Sequence, residues 1–117
     1  MLEHHKIDYV EFLSADLDIT KAFFVAAFGW DFEDFGSDYT AFSGSGLNGG
    51  FFAADCASRT AVGACLIVFY REALEKSLTL LDACGSRILK PTFAFPGGRR
   101  FHFEEPMGNE FTVWSDK

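Results

Sequence analysis

Residues 7–13 alternate like a strand, with Ile7, Tyr9, Glu11 and Leu13 on one face and Asp8, Val10 and Phe12 on the other. A phenol and a carboxylate, Tyr9 and Glu11, are thus neighbours. An apolar wall that raised the Glu11 pKa toward neutrality would make it a general base or an anchor for a cationic ligand. The plainer alternative is a rim carboxylate paired with Arg99 or Arg100. Tyr9 can donate a hydrogen bond to a ligand carbonyl, or serve as an amphipathic core residue. Farther on, His102 alternates with Arg100 and Glu104. It is a candidate catalytic base if the fold brings it a carboxylate and a cleft, and a surface or salt-linked histidine otherwise. Thr112 and Trp114 share a face of the last strand, opposite Phe111 and Val113. Trp114 offers an aromatic wall to a flat ligand, or a core or dimer contact. Cys65 lies in an apolar run without a basic neighbour, which leaves its thiol protonated and inert. His4 and His5 are adjacent, so an extended chain points them apart rather than at one ion.

The first strand runs into Asp16 and Asp18, either of which can cap a helix. Apolar positions Ile19, Ala22, Phe23, Ala26, Ala27 and Trp30 follow at helical spacing, Phe24 and Phe28 widen the stripe, and Gly29 ends it. Strands are expected at 30–35 and 38–43, with a short one at Phe51 and Phe52. The Gly-rich piece 44–50 lacks a GK[ST] ending and no helical pattern follows it, so it reads as a hairpin tip, not a phosphate loop. Small polar residues 55–60 form a linker. Beyond it the pattern predicts a buried strand over 61–70, a helix over 72–84, a brief strand over 87–90 ended by Pro91, and strands at 101–105 and 110–115. Strand, helix and three strands therefore occur twice, in modules 1–54 and 61–117. Neither half has enough core alone, so the two are expected to pack together as one α+β domain.

Composition narrows the partners. Seventeen acidic against ten basic residues give a net charge of −7, the wrong sign for binding nucleic acid through phosphate neutralisation. No apolar run approaches the roughly 20 residues of a membrane span, and MLEHHK is not a signal peptide, so a cytoplasmic protein is expected. Three cysteines without CxxC spacing indicate neither a disulfide framework nor a zinc knuckle. Fifteen phenylalanines are more than a small core needs, and some are expected to line a ligand pocket or a homodimer interface.

Asp16-Leu17 with the helix KAFFVAAFGW, the strand Tyr39-Thr40-Ala41-Phe42 and the turn Glu105-Pro106-Met107-Gly108-Asn109 resemble the vicinal oxygen chelate superfamily of glyoxalases, bleomycin-resistance proteins and extradiol dioxygenases. The turn is similar to that family's DPxGN, and the likeness spans nearly the whole chain. It implies paired βαβββ modules whose curved mixed sheets form a cup, often around a divalent metal. The family's ligand positions would fall at Tyr9, near Phe51, at or beside Cys65, and at Thr112. Phenol, phenyl, thiol and hydroxyl are not the oxygen and imidazole set that holds such an ion, so no metal or other cofactor is expected. The resemblance then implies a metal-free protein that binds a small, partly aromatic molecule with Tyr9, Glu11, Phe51, Cys65, Thr112 and Trp114, with Glu11 and His102 as the catalytic candidates. The alternative is a metal-dependent lyase, isomerase or dioxygenase with an altered ligand set, Glu11 with His102 or Glu110.

Overall fold

The computed structural model describes residues 2–117. Its elements are β1 (Val10–Ser14), α1 (Leu17–Phe28), β2 (Asp31–Asp34), β3 (Tyr39–Ser43), β4 (Gly49–Ala53), β5 (Ile67–Tyr70), α2 (Leu74–Ala83), β6 (Arg87–Phe95), β7 (Gly98–Glu104) and β8 (Glu110–Ser115). They form two four-stranded mixed sheets, ordered β1-β4-β3-β2 and β5-β8-β7-β6. The second order is the first advanced by four strands. In each sheet the strand before the helix pairs parallel with the last strand of its half, and the other pairs are antiparallel. This is the expected α+β architecture of paired βαβββ units.

Local chemistry sets the element ends. The Asp16 carboxylate accepts the N–H groups of Asp18 and Ile19 and so caps α1, while Gly29, at φ 69°, closes it with its N–H on Phe24 and Val25. The buried stripe of α1 is Thr20, Phe23, Phe24 and Ala27, whereas Ile19, Ala22 and Ala26 lie outward. Phe24 is the reason: it stacks on Trp30 at 4.3 Å and meets Phe51 and Phe111 at 5.5 and 5.4 Å, which turns the helix toward its larger side chains. The core is one cluster in which Phe12 and Phe51 of the first sheet, Phe101, Phe103, Phe111 and Val113 of the second, and Leu74 and Leu81 of α2 are all buried.

Three expected strands have other limits. β1 begins at Val10, where pairing with Gly49 begins, and Ile7 is left 81% exposed. The run 61–70 is not one buried strand: a 3-10 turn occupies Thr60–Val62, Gly63 follows in the left-handed region, and pairing starts at Ile67 opposite Phe111. Pro91 does not stop β6. Register shifts between Ile88 and Lys90 and between Lys90 and Phe93 take the imide out of the ladder, and pairing resumes at Phe93.

The halves are tied at one buried carboxylate. Glu105, fully buried at the end of β7, accepts from the Thr20 hydroxyl of α1 at 3.0 Å and from the Asn109 N–H at 3.1 Å. Ser14 of β1 in turn bonds Thr20 at 2.8 Å. The Asn109 amide donates to the Leu13 carbonyl at 2.6 Å and accepts the Ser58 N–H at 2.8 Å. Burial pushes the Glu105 carboxyl above its ordinary pKa, opposed by its bonds from Asn109, Thr20 and Met107. Glu105→Ala strands these donors in a dry interior and is expected to cost about 2–4 kcal/mol in urea unfolding, with Glu105→Gln costing less because it still accepts from Thr20.

Candidate functional site

Alternation gives each sheet a face packed on the phenylalanine core and a far face. On the first sheet the far face carries Tyr9, Glu11, Tyr39, Ala41, Gly50 and Phe52. Tyr39 donates to the Glu11 carboxylate at 2.9 Å, and Tyr9 therefore donates to the Tyr39 oxygen at 2.5 Å. Glu11 pairs with neither Arg99 nor Arg100: Arg99 binds Glu75. The phenol can lie there because Gly50, the partner of both Glu11 and Ala41, has no side chain; a Cβ would stand 2.2 Å from the Tyr39 hydroxyl. Burial first, then the bonds to Tyr9 and Glu11, hold the Tyr39 phenol well above its ordinary pKa, so it remains a protonated donor. The protein's own ring thus engages Tyr9 and Glu11, and a pocket of about 320 Å³ beside Tyr9, lined also by Asp31, Glu33, Ala41 and Ser43, stays open on this face.

The far face of the second sheet is different. Registers place Phe93 beside Arg100, Arg100 beside Trp114, and His102 beside Thr112, so these side chains form one block with Val68 and Tyr70 at its edge. His102 Nδ1 lies 2.8 Å from Glu110 Oε2. The other Glu110 oxygen accepts the Thr60 N–H at 2.8 Å and its hydroxyl at 2.9 Å. His102, Glu110 and Thr112 are all buried. Burial pushes the Glu110 carboxyl up, but the bonds from His102 and Thr60 outweigh it and its pKa lies below the ordinary value. A carboxylate that only accepts fixes the proton on His102 Nδ1, leaving Nε2 as the ring's remaining polar atom. Among the described residues, four buried side-chain polar atoms have no hydrogen-bond partner, and three of them, Arg100 Nε, His102 Nε2 and Thr112 Oγ1, belong to this block. Orphaned polar atoms cost free energy and are rare, and here three of them share one face.

The other expected site residues are scattered. Phe51 is fully buried in the core, on the opposite side of its sheet from Glu11, where it packs on Phe12 at 5.4 Å; its neighbour Phe52 takes the far face. Cys65 is exposed ahead of β5 and not buried in a strand. Tyr9 and Glu11 belong to the first sheet's cluster, and Thr112 and Trp114 to the second's. No hydrogen bond or salt bridge joins the two clusters among the described residues. Sequence reasoning missed Glu110 as the partner of His102 and Thr60 as the partner of Glu110.

A model of the glyoxalase/bleomycin resistance protein/dioxygenase superfamily matches residues 6–113. The chain belongs to that superfamily. Among solved structures, a glyoxalase/bleomycin resistance protein/dioxygenase family enzyme from Burkholderia phytofirmans PsJN is similar to it with a TM-score of 0.78 at 15% identity, covering 96% of this chain and 99% of that one. A lactoylglutathione lyase from Agrobacterium tumefaciens aligns with a TM-score of 0.73 at 19% identity, over 97% of this chain and 96% of that one. The fosfomycin resistance protein FosX from Listeria monocytogenes, solved as an E126Q mutant with Mn(II) and 1S,2S-dihydroxypropylphosphonic acid, aligns with a TM-score of 0.78 at 18% identity, over 97% and 91% of the chains. At these identities the likeness is one of fold. No curated protein sequence matches the chain.

Superfamily membership raises the question of a divalent ion, and the donors do not fit one. At the positions the resemblance assigns to ligands, Phe51 has no donor atom, Cys65 is exposed outside the strand, Thr112 is a neutral hydroxyl and the Tyr9 phenol is bonded to Tyr39. The altered set fares no better, because Glu11 is engaged by Tyr39 on one sheet while His102 and Glu110 engage each other on the other. Among the described residues no three His, Cys, Asp or Glu side chains are grouped to share an ion.

The depressed pKa of Glu110 has a consequence in acid. Its stabilising contribution is complete above its unfolded value near 4.5 and is lost as pH falls through the lower folded value. Glu110→Gln should therefore be less stable than the natural protein at pH 7, with the gap closing below pH 4.5 as denaturation midpoints are followed from pH 7 to pH 3.

Proposed function

We propose that this superfamily member binds a small, partly aromatic molecule on the far face of its second sheet, without a metal ion. The reading rests on the three unpartnered buried atoms, Arg100 Nε, His102 Nε2 and Thr112 Oγ1, set beside Phe93, Phe95 and Trp114. Aromatic walls with a few convergent polar groups are the ordinary make-up of a small-molecule site. The first sheet is the poorer candidate because its Tyr9, Tyr39 and Glu11 side chains satisfy one another. In this reading His102 is the group that meets a ligand oxygen or proton, held in one orientation by Glu110 as Glu110 is held by Thr60. On the other sheet, Glu11 keeps Tyr39 in place and takes no part in chemistry.

Thr112 separates binding from stability. Thr112→Val removes a buried hydroxyl that has no partner while keeping the shape, so the free protein should gain about 1 kcal/mol in unfolding free energy. The same change should weaken ligands found by thermal-shift screening of small aromatic compounds. A chelator should leave the melting temperature and the screen unchanged. A stoichiometric metal lost on Glu11→Ala would contradict the reading.

A homodimer is the assembly we expect. Phe52 at 38%, Val62 at 76% and Ile7 at 81% exposure supply apolar surface for a second copy. Sedimentation equilibrium at micromolar concentration should give twice the chain mass, and a monomer would refute it. No helix among the described residues is long and apolar enough to cross a membrane.

A further inference from the structure

The five arginines are not equivalent. Arg59 and Arg87 both bind the Glu104 carboxylate, Arg99 binds Glu75, and Arg71 donates to the Ala27 carbonyl at 2.9 Å while lying over Phe28. Arg100 alone has no acceptor among the described residues. Its guanidinium lies 5.2 Å from the Phe93 ring and 5.5 Å from the Phe95 ring, and its Nε is buried without a partner. Lys90, on the same strand as Phe93, flanks its ring at 5.2 Å and has no carboxylate partner among those residues either. In a chain of net charge −7, two cations on one face thus lack an ion-pair partner, although Glu110 and Asp116 border that face in bonds to His102 and Tyr70. A guanidinium beside rings has no acceptor there, and its fork of donors suits a carboxylate taken with two parallel bonds.

An open groove of about 240 Å³ adjoins it, lined by Val68, Phe95, Gly97, Arg100 and Trp114. Drug-sized ligands fill roughly 300–1,000 Å³, so this space suits something smaller. Phe95 and Trp114 stand edge to face, 6.1 Å apart, and leave apolar surface beside the cation. Gly97 lines the groove without a side chain, and a Cβ there would meet the Phe95 ring at 2.9 Å.

We propose that Arg100 receives the carboxylate of a small aromatic acid whose ring lies against Phe95 and Trp114. This rests on the reading that the second sheet's far face is the binding surface, and it adds the ligand's charge and class. Benzoate and its neutral isostere benzamide are the probes, titrated by NMR into the natural protein, Arg100→Met and Arg100→Lys, with melting curves to confirm that each variant folds. Benzoate should bind at least tenfold tighter than benzamide. Arg100→Met should erase that preference while leaving benzamide unchanged, Arg100→Lys should keep part of it, and added salt should weaken benzoate only. Equal affinity of the two probes, or a benzoate affinity indifferent to Arg100→Met, would overturn the assignment while the binding surface stands. If neither probe nor any other aromatic compound perturbs this face, the surface itself is wrong. Should Arg100→Met fail to fold, the Arg100→Lys titration and the benzoate–benzamide contrast on the natural protein decide the matter.

Discussion

A carboxylate in a dry interior must be surrounded by donors, and Glu105 obtains its donors from both halves of the chain. Thr20 comes from the first helix and Asn109 from the turn before the last strand. Asn109 then reaches Leu13 on the first strand and Ser58 in the connecting segment. The bonds to Thr20 and Leu13 can be made only when the two halves meet in one register. Phenylalanine packing supplies the adhesion, since Phe12 meets Phe111 at 5.2 Å and Phe23 meets Phe103 at 6.2 Å. Apolar contacts alone tolerate sliding, whereas the hydrogen-bonded knot does not.

The same knot positions the second sheet's polar groups. Asn109 is next to Glu110, and Ser58, held by Asn109, is two residues before Thr60, so one anchor places both partners of the His102 relay. Strand alternation then carries Thr112 and Trp114 onto the same face as His102 and Arg100. On the corresponding face of the first sheet a local choice of residue size lets the polar groups satisfy one another. Gly50 and Ala41 make room, and Tyr39 fills it with two hydrogen bonds. Two similar modules thus present unequal surfaces, one satisfied from within and one with orphaned polar atoms beside an unpaired arginine.

Much of the fold was legible because it is written in local rules. Asp16 as a cap, Gly29 as a left-handed stop, the two-residue period of the first and last strands and the Glu105–Asn109 turn all act over a few residues. Pro91 misled because the register shifts around it depend on the facing strand, which no short window contains. Phe51 and Phe52 are adjacent and chemically identical, and a single residue of register decides which one is core. The helix stripe turned toward Phe24 because Trp30, Phe51 and Phe111 converge on it from three other places in the chain. The site was legible in parts. Tyr9 beside Glu11 follows from alternation, but Tyr39 between them comes from a strand two places away in the sheet. His102 was recognisable as a candidate lacking a carboxylate. Its partner could have been found by closing the hairpin: with Glu105 and Asn109 bounding the turn, Glu104 faces Glu110 and His102 faces Thr112, so Glu110 is the diagonal neighbour of His102. The isolation of Arg100 has no sequence signal, since it depends on where every other arginine finds its acceptor.

Backbone and side-chain NMR shifts, followed as a thermal-shift hit is titrated in, would distinguish the two far faces. The account predicts that the largest changes fall on Arg100, His102, Thr112 and Trp114, with the Tyr9, Glu11 and Tyr39 signals still. Changes centred on Tyr9, Glu11 and Tyr39, with the second sheet unmoved, would contradict it.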